Sequence, residues 1–65
     1  MVGTLIKQYL EENGIKQTFL AQKLGMTASV VSDICSGNRR IDCVEYLHIC
    51  RALNLPLDFF LKDIE

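Results

Sequence analysis

Three cysteines and one histidine are the side chains of this 65-residue sequence that could bind a metal or attack a substrate. Thiolates and imidazole are common zinc ligands, and a thiol beside a base can act as a nucleophile. Cys43 and Cys50 lie seven residues apart, which separates their sulfurs by about 10 Å on a helix, too far to share one tetrahedral ion without other ligands. We therefore expect Cys35, Cys43 and Cys50 to be reduced, small buried residues, His48 to be exposed, and no metal or other cofactor to be bound.

Catalysis is not predicted for this chain. A catalytic nucleophile needs a base within reach and an acid that orients the base, and one histidine in so short a chain does not supply that set. The four glycines are isolated from one another, so the sequence has no glycine-rich loop for nucleotide phosphates. We expect neither an enzyme nor a small-molecule substrate.

Two adjacent arginines, Arg39 and Arg40, indicate a different chemistry, because guanidinium groups bind phosphate well. The formal net charge is −1, but residues 16–40 contain four basic side chains and one acidic side chain, a net charge of +3. The rest of the chain carries −4. A chain of this overall charge can bind nucleic acid only if its charge is segregated in this way.

The composition predicts one folded domain over residues 1–65, because 49% of the residues are hydrophobic and a chain this short forms a single core. No apolar run approaches the roughly 18 residues that span a bilayer. Residues 1–7 lack a basic leader followed by a long apolar stretch. We expect a soluble, cytoplasmic protein that does not contact a membrane.

The spacing of apolar residues predicts an all-α fold of five short helices without strands. The first helix is amphipathic, starts near Val2 and ends at Asn13-Gly14. The others are predicted at Gln17–Leu24, at Ala28–Cys35, from Asp42 to about Asn54, and at Leu57–Leu61. The inward residues expected on the fourth helix are Cys43, Tyr46, Leu47, Cys50 and Leu53, with Ile49 at the flank. On the fifth helix, Leu57, Phe60 and Leu61 share one stripe, and Phe59 projects away from it.

Local signals mark the ends of these helices. Thr27 is a good N-cap for the third helix, and Asp42 followed by Glu45 is an acidic capping box for the fourth. Gly25 and Gly37 end the second and third helices. Lys16 precedes the second helix without a capping oxygen, which should weaken that helix start by about 1 kcal/mol.

Two short helices joined by Gly25-Met26-Thr27 have the layout of a helix-turn-helix. The segment from Gln17 to Arg40, continued by residues 44–53, resembles the Xre/Cro type of DNA-binding domain, the class of the phage lambda and 434 repressors. The residues that carry this resemblance are Leu20-Ala21, Leu24-Gly25, Ser32, Ile34, Gly37, Leu47, Ile49 and Ala52-Leu53. The resemblance implies a compact five-helix lambda-repressor-like domain with a central helix-turn-helix at about residues 17–36.

The resemblance also implies that the third helix enters the major groove of double-stranded DNA. The residues that would then face bases are Ala28, Ser29, Ser32 and Asp33. The residues that would face phosphates are Lys16, Gln17, Thr27, Ser36, Asn38, Arg39 and Arg40. The implied protein is a sequence-specific, repressor-like transcriptional regulator, located on the nucleoid when bound to DNA.

This sequence departs from the family pattern at several positions. Relatives often carry long donor side chains where this chain has Ala28 and Asp33, so we expect low sequence specificity or recognition of DNA shape. Relatives also pair an Arg on the first helix with a Glu on the third, at the positions of Leu10 and Cys35. Because both partners are apolar here, we interpret them as a packing contact that replaces the ion pair.

The resemblance implies a homodimer on two half-sites, because one module buries little DNA surface. The candidate dimer surface is the segment after the fourth helix: Leu55, Pro56, Leu57, Phe59 and Phe60. An alternative function is a protein-interaction module of the same fold, such as a partner of a toxin or of another regulator, with little or no specific DNA binding. A weaker alternative is a thiol or metal sensor.

Overall fold

The structure is a computed structural model that describes residues 2–61. Four α-helices lie in those residues: α1 (Val2–Glu12), α2 (Gln17–Leu24), α3 (Ala28–Ser36) and α4 (Cys43–Ala52). α3 packs against both α1 and α2, and α4 packs against α2. Residues 2–61 contain no strand, so the predicted all-α class and the first four helices are confirmed.

The predicted fifth helix is wrong, because residues 57–61 form consecutive turns. The N–H groups of Phe59 and Leu61 donate to carbonyls only three residues earlier, at 3.1 Å each. Five residues after a proline offer too few hydrogen bonds to nucleate a helix without external support. The predicted common stripe is also wrong, because Phe60 is 3% exposed whereas Leu57 and Leu61 are 52% and 42% exposed.

Aromatic packing holds this final segment in place. Phe59 and Phe60 meet the ring of Tyr9 edge to face, with ring centroids 5.3 and 5.8 Å away. Phe59 is therefore half-buried rather than projecting outward as predicted. The Tyr46 hydroxyl donates to the Leu57 carbonyl, and burial, the largest cause, raises the pKa of Tyr46 to about 12, so this donor stays protonated.

The core receives side chains from all four helices and from Phe60. Its buried residues are Ile6, Leu10, Leu20, Ala21, Val31, Ile34, Cys35, Ile49, Cys50 and Phe60. The predicted inward face of α4 is wrong in part, because Ile49 is fully buried and Cys43 is exposed. Cys43 is the first residue of α4.

The interpretation of Leu10 and Cys35 as apolar replacements agrees with their surroundings. Each side chain is 1% exposed and lies in the same core cluster. Burial raises the pKa of the Cys35 thiol, which disfavours the reactive thiolate. Cys35 therefore behaves as a small hydrophobic residue, as predicted.

Glycine at position 3 allows α1 to approach α3 closely. A Cβ added to Gly3 would overlap the carbonyl oxygen of Ile34, which belongs to the backbone and cannot turn aside. The two helices would have to separate to admit any side chain at this position. The contact between α1 and α3 thus depends on the absence of a side chain at Gly3.

Gly3→Ala should lower the free energy of unfolding by about 1–3 kcal/mol, because overpacking outweighs the better helix propensity of alanine. Chemical denaturation followed by circular dichroism measures this change. Lys7→Ala, at an exposed position of the same helix, is the control and should change stability by less than about 0.5 kcal/mol. A Gly3→Ala variant more stable than the parent chain would contradict the close approach.

Candidate nucleic-acid interface

The turn between α2 and α3 is fixed at both ends by local hydrogen bonds. Gly25 has the left-handed backbone conformation (φ 68°), and the Met26 N–H donates to the Ala21 carbonyl at 2.9 Å. Thr27 caps α3 as predicted, because its hydroxyl accepts from the Val30 N–H at 3.2 Å. These contacts orient α3 relative to α2, and Leu20 and Val31 are buried in the same core cluster.

The outer face of α3 carries small polar side chains. Ala28, Ser29, Ser32 and Asp33 are all exposed, while Val31 and Ile34 are buried on the opposite face. Helical spacing places residues i, i+1, i+4 and i+5 on one side, so the structure brings the four predicted base-facing residues together. This face is free of bulky groups that would keep α3 out of a groove.

The predicted phosphate-facing residues lie at the starts of α2 and α3, at the last residue of α3 and in the loop that follows it. Gln17 is half-buried and the others are exposed: Lys16, Thr27, Ser36, Asn38, Arg39 and Arg40. Lys16 makes no side-chain cap bond at the start of α2, as predicted. The Ser36 hydroxyl donates to the Asp33 carbonyl at 3.2 Å.

The Arg39 side chain forms an ion pair with Glu45 within the protein, and the sequence did not predict this pair. Its Nη1 and Nη2 donate to Oε1 and Oε2 of Glu45 at 2.9 and 2.6 Å. The hydrogen bond between them lowers the pKa of Glu45 and raises the pKa of Arg39. Arg39 and Glu45 are separated by a loop and the start of a helix, so no periodic spacing in the sequence predicts that they form an ion pair.

Glu45 also completes the predicted capping box of α4. The Asp42 Oδ1 accepts from the Glu45 N–H at 2.7 Å, and the Glu45 Oε1 accepts from the Asp42 N–H at 3.2 Å. Sequence reasoning therefore identified the cap but missed the second partner of the same carboxylate. The loop after α3 is joined to α4 through this one side chain.

The predicted dimer surface is only partly exposed. Pro56 and Leu57 are exposed, Leu55 and Phe59 are half-buried, and Phe60 is buried in the core and unavailable to a partner. Leu57 instead lines an apolar groove of about 540 Å³, which we call the α4 groove. Its lining residues are Cys43, Val44, Tyr46, Leu47, Leu57, Asp58 and Leu61. Val44 is 58% exposed and was missed, although an apolar residue outside the inward stripe of a helix is a usable signal.

Residues 2–61 contain no group of three or more His, Cys, Asp or Glu side chains placed to hold a metal ion. His48 is exposed, as predicted. None of α1 to α4 is long and apolar enough to cross a membrane.

Comparison with known proteins identifies the family. A family profile described as helix-turn-helix matches residues 6–60. The chain is 28% identical over 64 residues to a Rhodospirillum rubrum protein named as an uncharacterized transcriptional regulator in the ATPase CF(0) region. That alignment covers 98% of this chain and 59% of the relative, so the chain spans little more than half of the relative's length. No solved structure gives a significant match. Because the profile covers most of the sequence and includes α2, the turn and α3, the chain belongs to the Xre-type helix-turn-helix family.

Proposed function

We propose that this chain is a non-catalytic, cytoplasmic DNA-binding domain of a transcriptional regulator, repressor-like in its mode of binding. The observation that carries the proposal is the exposed, small polar face of α3, held by a capped helix-turn-helix turn. Family membership and the relative named as a transcriptional regulator support the same function. In this proposal residues 1–65 form one domain, and α3 lies in the major groove.

The chemistry of the α3 face sets the specificity that we expect. Ala28 can contact a thymine methyl group, and Ser29 and Ser32 can hydrogen-bond to several base edges. Asp33 can accept from a cytosine amino group but repels phosphates. Without a long bidentate donor, this face distinguishes sequences weakly, so DNA shape contributes much of the discrimination.

Phosphate contacts supply the affinity and position α3. Gln17 lies in the first turn of α2, where unpaired N–H groups favour an anion, and Lys16 adds a positive charge beside it. Thr27, Ser36, Asn38 and Arg40 form the second set of proposed contacts, around the two ends of α3. Arg40 is the strongest of these because it brings a full positive charge.

Dimerisation is proposed through the α4 groove. One helix-turn-helix module buries too little DNA surface for tight binding, so a second copy is needed. Val44, Leu57 and Leu61 are large apolar side chains exposed on this groove. The groove adjoins the start of α4 and therefore lies beside the loop that follows α3, where a second copy can bind the same DNA.

One observation favours the alternative of a protein-interaction module. Asp33 places a negative charge on the exposed face of α3, where phosphates and base acceptors would surround it. A protein partner with a basic surface would accommodate this carboxylate more easily than DNA. The first experiment below separates the two functions.

Arg40→Ala should weaken binding to a mixed-sequence duplex and reduce the slope of log K against log salt by about 0.9, the value for one lost phosphate contact. Fluorescence anisotropy at several salt concentrations measures both quantities. Arg51→Ala is the matched control, because it removes the same charge from the far end of α4. If the unmodified chain shows no salt-dependent binding, the DNA-binding function is wrong and the interaction module is favoured.

Leu57→Lys should raise the dimer dissociation constant about tenfold or more, since it places a charge in the apolar α4 groove. Sedimentation equilibrium measures the constant. Phe19→Lys is the control, because Phe19 is a similarly exposed apolar residue on α2 and outside the groove. A chain that stays monomeric at its highest soluble concentration, or a dimer unaffected by Leu57→Lys, contradicts this interface.

A further inference from the structure

The pair formed by Arg39 and Glu45 stands at the edge of the proposed DNA surface. Arg39 directly precedes Arg40, the strongest proposed phosphate ligand, and lies three residues after the end of α3. The side chain of Glu45 is 14% exposed and that of Arg39 is 41% exposed. The guanidinium group therefore lies on the solvent side of the carboxylate and covers it.

Both oxygens of the Glu45 carboxylate already accept hydrogen bonds within the protein. Oε2 accepts from Arg39, and Oε1 accepts from Arg39 and from the backbone N–H of Asp42. The capping box holds the carboxylate to the start of α4, so it cannot move away from the DNA surface. Releasing Arg39 to a phosphate would leave this fixed negative charge uncovered.

Arg39 is also the basic residue that interacts with the acidic side chains around the loop. Glu45, Asp42 and Asp33 all act on its charge, with Glu45 the strongest. Asp33 belongs to the exposed face of α3, and Asp42 caps α4. Each of these three carboxylates would repel phosphates that approach the loop.

We infer that Arg39 is a positioning residue that shields the carboxylate of Glu45 from DNA, and that Arg40 alone of the two arginines binds phosphate. The inference rests on the proposed function and refines it. Two neighbouring arginines of the same charge thus have different roles, set by the bidentate contact that one of them makes. The shield also explains how a surface with acidic residues at its edge can accept a polyanion.

Pairwise replacement tests this division of roles. Arg39→Ala should weaken binding to a mixed-sequence duplex about tenfold at low salt, because like charges then face each other across the interface. In Arg39→Ala/Glu45→Gln the net charge equals that of the unmodified chain, and glutamine can still complete the capping box. Its affinity should return to within about twofold of the unmodified chain, with an unchanged salt slope.

Arg40→Ala/Glu12→Gln is the matched control, because it has the same net charge as the rescued variant and keeps Arg39 paired with Glu45. Its salt slope should stay reduced by about 0.9, since the lost contact cannot be restored by removing a carboxylate. Thermal melts by circular dichroism establish that each variant is folded. A reduced salt slope in Arg39→Ala/Glu45→Gln would show that Arg39 contacts phosphate directly. That result would overturn the shielding role of Arg39 but not the proposed DNA-binding function. No salt-dependent binding by the unmodified chain would overturn the proposed function and this inference with it.

Discussion

Burial of one face of α3 is the constraint on which the rest of the structure depends. Val31, Ile34 and Cys35 are its buried inner face, and α3 packs against both α1 and α2. α1 can approach because Gly3 has no side chain against the Ile34 carbonyl. The opposite face is left to solvent, and its small polar residues are suited to a groove that a helix can enter. The packing of the inner face of α3 against the core thus determines both the stability of the fold and which residues form the proposed recognition surface.

The ends of α3 connect this packing to electrostatics. At the start of α3, the Thr27 hydroxyl caps the helix by accepting from the Val30 N–H. The macrodipoles of α2 and α3 give the starts of both helices a positive potential, which favours phosphates there. At the end of α3, the loop brings Arg39 onto Glu45, which is itself fixed by the cap of α4. A chain with a net charge of −1 can therefore present basic side chains at this surface, because the Glu45 carboxylate beside it is paired with Arg39.

Local signals in the sequence predicted the parts of the fold that local energies determine. The bounds of α2, the cap at Thr27 and the capping box at Asp42 depend on residues within one helical turn, and all three agree with the structure. The segment 57–61 could not be predicted in this way, since the aromatic contacts with Tyr9 and the hydrogen bond from Tyr46 decide its course. The ion pair of Arg39 with Glu45 could not be predicted for the same reason, because it joins residues across a loop. The exposure of Cys43 also depends on the packing around the start of α4 rather than on neighbouring residues in the sequence.

An NMR titration of the isotope-labelled chain with a short mixed-sequence duplex tests the central claim most directly, because it locates the contact surface residue by residue. The backbone amide signals of residues 16–17, 27–33 and 36–40 should shift on binding. The signals of residues 48–52, in the second half of α4, should not shift. Shifts confined to the α4 groove, or none at all while the chain remains folded, would contradict recognition of DNA by α3.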